Sequence, residues 1–105
     1  MINALDELLE ELNGLTIVAA TIHYETSYEE IALPITLVEG HTPDSLTLFK
    51  ERLKQITYDN GYGRQYLYGT VWLGNNIWLE RHEYDGSEWW VKLECPEIPF
   101  YLKAL

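Results

Sequence analysis

The stretch 66–94, YLYGTVWLGNNIWLERHEYDGSEWWVKLE, decides the fold. Three runs in it, Tyr66 to Leu73, Ile77 to Tyr84 and Glu88 to Glu94, are separated by Gly74-Asn75-Asn76 and Asp85-Gly86-Ser87. Gly, Asn and Asp accept positive φ at low cost, which is what tight hairpins require. The stretch therefore reads as a three-stranded antiparallel meander. A two-residue period also sorts its side chains by face. In the first run Tyr66, Tyr68 and Trp72 oppose Leu67, Val71 and Leu73. In the second, Trp78, Glu80, His82 and Tyr84 oppose Ile77, Leu79, Arg81 and Glu83. In the third, Trp90 and Lys92 oppose Trp89, Val91 and Leu93. Hydrophobicity then predicts that the aliphatic face, with Trp89, meets the rest of the core. The face carrying Tyr, Trp, Glu80, His82 and Lys92 turns outward.

Upstream, Leu5, Leu8, Leu9 and Leu12 fall at helical spacing, with Asn3 to cap the start and Asn13-Gly14 to stop it. Leu15 to Tyr24 is rich in β-branched residues and reads as a strand. A turn over Glu25 to Glu29 leads into alternating Ile31, Leu33, Ile35 and Leu37, and Pro34 assigns that strand to a sheet edge. Thr42 or Asp44 can cap a second helix, with Pro43 in its first turn and Leu46, Phe49, Leu53 and Ile56 on its apolar side. Phe100 to Leu105 is expected to pack back as one turn. The order is α-β-β-α-β-β-β: an α+β fold with two helices packed on a mainly antiparallel five-stranded sheet, in one domain spanning 1–105.

The 105 residues carry 17 acids against 7 bases, a formal net charge of −10. The imbalance is local. Residues 1–49, the first helix and hairpin, hold nine acids and no base, whereas 50–105 hold eight acids and seven bases. The 58–94 segment is aromatic, and eleven of the chain's fourteen aromatic residues lie from Tyr58 onward. Such a charge argues against direct nucleic-acid binding, which leaves a basic footprint. A single cysteine makes no internal disulfide or zinc knuckle. No apolar run approaches the ~20 residues of a membrane span, and Asp6 and Glu7 near the N-terminus argue against a secretory leader. The expected location is cytoplasmic.

Net charge by itself serves solubility. The first helix says more. Asp6/Glu10 and Glu7/Glu11 are like-charge i, i+4 pairs, each costing about 0.2–0.5 kcal/mol with no Lys or Arg nearby. That points to a contact role for Asp6, Glu7, Glu10, Glu11, Glu25, Glu29 and Glu30. Tyr66, Tyr68, Trp72, Trp78 and Trp90 supply the aromatic counterpart, since Tyr and Trp give large rigid contact areas with a polar tip. Cross-strand stabilisation of a small sheet is the competing role for the same rings.

Chemistry-bearing residues are sparse. His23, His41 and His82 share no metal-type spacing, and Glu80 with His82 is the nearest approach to a metal or acid–base pair. Cys95 precedes Pro96 without a partner motif, and Ser27, Ser45 and Ser87 lack a nucleophile elbow. Gly61-Tyr62-Gly63 is not followed by the Gly-Lys-Ser/Thr of a P-loop. No catalytic residue, cofactor or metal is therefore expected.

In size and charge the chain resembles the small acidic inhibitors that phages use against host-defence nucleases, the anti-restriction and anti-CRISPR proteins. The resemblance is compositional and rests on no shared motif. It implies a non-enzymatic protein that docks on a basic surface of a nucleic-acid-binding protein or nucleoprotein, its carboxylates standing in for phosphates. Two other expectations stand beside it: a small-ligand module using the aromatic sheet face, and a homo-oligomer closed by that face.

Overall fold

A computed structural model describes residues 1–25, 34–61, 63–96 and 99–103. Its elements are β1 (Ile2–Asn3), α1 (Ala4–Leu12), β2 (Ile17–Tyr24), β3 (Ile35–Leu37), α2 (Pro43–Lys54), β4 (Thr57–Tyr58), β5 (Leu67–Leu73), β6 (Ile77–Tyr84), β7 (Ser87–Glu94) and a 3₁₀ turn, Phe100–Leu102. Five strands form one antiparallel sheet in the order β3-β2-β5-β6-β7, so the α+β architecture is as the sequence implies. β1 and β4, which hydrophobic periodicity did not reveal, pair as a two-stranded ribbon. They are too short to show a period, and they form because the chain enters α1 beside its exit from α2.

Local signals act where expected. Asn3 Oδ1 accepts from the amides of Leu5 (3.0 Å) and Asp6 (3.3 Å), and Asn13 closes α1 in the left-handed region. Thr42 Oγ1 accepts from the Ser45 amide at 3.1 Å, with Pro43 opening α2. β3 is an edge strand, as Pro34 required. Of the turn expected over Glu25 to Glu29 and the strand expected from Ile31 to Leu37, residues 26–33 lie outside the described residues. The helices bury Ala4 and Leu8 from α1 and Phe49 and Leu53 from α2, with Leu5 and Leu12 packed at the margin, while Leu9, expected in the apolar stripe, is exposed. They cover the sheet face made by Ile17, Ala20, Ile22, Leu37, Leu67, Val71, Leu73 and Leu79.

The face assignment of the last strand needs correction. Asp85 (φ 51°) and Gly86 (φ 87°) form a two-residue turn, so Tyr84 pairs with Ser87 and Arg81 with Trp90. Directly paired residues share a face, which sends Trp90 and Glu88 toward the helices and Trp89, Val91 and Leu93 outward. Trp90 is accordingly buried and Trp89 is 41% exposed. The turn's parity outranks hydrophobicity here, because a one-residue slip exchanges every side chain of a strand. Lys92, expected on the outer face, stands on the helix side. The terminal turn also departs from expectation: Phe100, Tyr101 and Leu102 are exposed instead of packing back.

Gly69 is where the sheet admits no side chain. It has φ +147°, and a Cβ there would lie 2.3 Å from the Thr21 carbonyl oxygen of the neighbouring strand β2. Gly69→Ala should destabilise the protein by about 1–3 kcal/mol in denaturant titration, while Gly74→Ala, which meets nothing within 4 Å, should have little effect.

Candidate functional site

Arg81 sits on the helix-facing side of β6, in phase with Leu79, and its side chain is wholly buried. A buried guanidinium is costly unless paired, and here each of its three nitrogens has a partner. Nη1 donates to Glu7 Oε1 at 2.7 Å. Nη2 and Nε donate to Glu88 Oε1 at 2.9 and 3.1 Å. Nη2 also reaches the Tyr58 hydroxyl at 2.9 Å. Its Cζ lies over the rings of Tyr58 (5.5 Å) and Trp90 (5.2 Å), two cation–π contacts. Tyr58 donates its hydroxyl hydrogen to Glu7, and Asn60 Nδ2 donates to the other Glu7 oxygen at 3.2 Å. Glu88 accepts from the backbone amides of Tyr66 (2.7 Å) and Leu67 (3.0 Å).

These contacts set the ionisation of the cluster. Burial pushes the Tyr58 phenol far above its usual range, and the hydrogen bond to Glu7 adds to the shift. Burial works against the Arg81 cation, but Tyr58, Glu7 and Glu88 outweigh it and raise its pKa. Trp90 Nε1 is buried and has no hydrogen-bond partner among the described residues, so its ring serves the cluster through its π face.

The cluster redistributes the residues expected to meet a partner. Glu7 is spent inside the protein. Asp6 and Glu10 are exposed on α1 and line a shallow depression with Asn60. Glu11 is half-buried, and so is Glu25, whose amide donates to the Tyr66 carbonyl beyond the end of β2. Glu29 and Glu30 lie outside the described residues. Tyr66 packs partly against the core, 6.5 Å from the Tyr58 ring. Trp90 is interior.

Tyr68, Trp72 and Trp78 remain on the outer sheet face, where no described helix covers them. Trp72 and Trp78 are direct cross-strand partners, and Trp89, absent from the expected set, joins them through its pairing with His82. This face and the α1 carboxylates are on opposite sides of the sheet, so the structure separates the acidic and aromatic sets expected to meet one partner.

Among the described strand residues the outer face has one carboxylate, Glu80, between the Trp78 and His82 side chains. Trp78 Nε1 donates to Glu80 Oε1 at 2.9 Å, and His82 Nε2 is 3.3 Å from Oε2. The Trp78 bond, then the His82 bond, hold its pKa below the usual carboxylate range. Among the described strand residues no Lys or Arg points to this side, since Arg81 and Lys92 face the helices. A register shift lies between Ile17 and Ala19 in β2, and Val18 and Ala19 there line a groove of about 630 Å³ together with Glu39, Trp72, Trp78 and Cys95. Among the described residues, no group of three or more His, Cys, Asp or Glu could hold a metal ion, and no helix is long and apolar enough to cross a membrane. Comparison with protein-family models, curated proteins and solved structures finds no match to this chain.

The two kinds of acid should respond differently. Glu88→Gln removes a fully buried charge partner and should cost about 3 kcal/mol in thermal or chemical unfolding. Glu10→Gln, one turn from Asp6 on the exposed side of α1, should bring no measurable loss.

Proposed function

We propose that the chain is an acidic, non-enzymatic binding protein that docks through its open sheet face on a basic surface of another protein. The observation that carries this reading is the uncovered face itself: Trp72, Trp78 and Trp89 around an ionised Glu80, with no Lys or Arg among its described strand residues. Trp72 and Trp89 are 45% and 41% exposed, and Tyr84 extends the surface at 77%.

Arginine or lysine side chains from a partner fit this chemistry twice. The ring faces attract a cation by about 0.5–2 kcal/mol each, and Glu80 and Glu39 supply the counter-charge. The groove between β2 and the β5–β6 hairpin gives one such side chain a recessed seat. Proteins that hold nucleic acid, nucleases among them, already present surfaces lined with Lys and Arg, and they are the partner class this reading favours. Competition with nucleic acid for that surface would make the protein an inhibitor. The carboxylates of α1, on the far side of the sheet, contribute by accelerating encounter through the net charge of −10. A cytoplasmic site of action goes with such partners.

An arginine-rich peptide titrated into the isotopically labelled protein tests this directly. The indole resonances of Trp72, Trp78 and Trp89 should shift, with buried Trp90 as internal control, and added salt should weaken the effect. Glu80→Lys should weaken binding about tenfold. Shifts confined to Asp6 and Glu10 of α1, or no shift at all, would count against the sheet face as the docking surface.

A further inference from the structure

The sheet has two edges of unequal kind. β3 spans three residues, whereas β7 spans eight and, among the described residues, has no strand beyond it. Backbone groups alternate along a strand, pointing toward one neighbour and then the other. The Cys95 amide, just past β7, donates inward to the Asn76 carbonyl at 3.0 Å, and the Glu88 amide donates outward to the Asn60 carbonyl at 2.7 Å. By that parity Trp90, Lys92 and Glu94 turn their amides and carbonyls to the free edge. No described residue bonds to them there. A long edge with open backbone groups is a template for a further strand.

We propose that the strand which pairs there is β7 of a second copy of this chain, antiparallel and centred on Leu93. The sequence of the edge is self-complementary in that register. Lys92 of each copy stands opposite Glu94 of the other, giving two cross-strand ion pairs on the helix side. On the outer side Leu93 meets Leu93, and Val91 meets Cys95. The outward parity of Lys92 and Glu94 makes both crossings hydrogen-bonded pairs, so four backbone bonds form between the copies. A register centred on Lys92 instead sets like charges against each other, a destabilising arrangement. Pro96 lacks an amide and ends the pairing just beyond Cys95. Lys92 and Glu94 are exposed, so both are free to make these contacts.

Pairing about a two-fold axis normal to the sheet joins two five-stranded sheets into one of ten. Both outer aromatic faces then lie on the same side as one surface. The pairing rests on the edge of β7 alone and stands whether or not that surface binds a basic partner.

Sedimentation of the full chain from micromolar to millimolar concentration provides the test, with folding of each variant checked by circular dichroism. The wild type should approach twice the chain mass as concentration rises, with growing exchange protection of the Lys92 and Glu94 amides. Lys92→Glu and Glu94→Lys should each weaken association roughly tenfold or more, since both ion pairs become repulsive. The charge-swapped double variant should recover it. A wild type that stays monomeric would overturn the proposal. So would single variants that associate like the wild type, or a double variant that fails to recover.

Discussion

The burial of Arg81 is the constraint from which the rest of this structure follows. A guanidinium with no solvent exposure must find its partners inside the protein, and they come from three separate elements of the chain. Glu7 comes from α1, Tyr58 from β4, Glu88 from β7, and Trp90 from the same strand one turn of the pleat further on. Glu88 in turn binds the amides of Tyr66 and Leu67, which fixes where the loop after β4 enters β5. One cation thus fastens the helix layer, the short ribbon and the meander at the same end of the sheet. Aliphatic packing supplies most of the burial, but it is tolerant of sliding, whereas forked hydrogen bonds to two carboxylates are not.

That fastening also changes the meaning of the acidity. Glu7 looked like part of a repulsive stripe on a helix with no basic neighbour. Its neighbour is Arg81, 74 residues later, at 2.7 Å. For Glu7 the base missing from its own helix is supplied from elsewhere in the fold. Of the surface acids that remain, Asp6 and Glu10 stand on α1 and the ionised Glu80 on the opposite side of the sheet. The outer face is left as the one extended surface where rings and a carboxylate meet without intervening bases among the described residues.

The sequence made much of this legible. Helix caps at Asn3 and Thr42, the edge position after Pro34 and the runs of the meander all follow from local chemistry and came out as expected. The outer-face placement of Tyr68, Trp72 and Trp78 was legible from period two. Trp90 was not, because three apolar residues at 89, 91 and 93 outweighed the parity of a two-residue Asp-Gly turn. The signal that could have corrected it was Arg81, a cation in phase with Leu79 and so committed to the interior. Its partner acids could not be chosen from sequence, since nothing local links position 7 or 88 to position 81 before the chain is folded. β1 and β4 escaped notice for the same reason: two-residue strands are products of tertiary contact.

A double-mutant cycle between Glu7→Gln and Arg81→Met, read by chemical denaturation, measures most directly whether the acidic helix is held by the buried arginine. The account predicts a coupling of about 1.5 kcal/mol or more. Additive effects, within about 0.3–0.5 kcal/mol, would contradict it and return Glu7 to the surface charge of the helix.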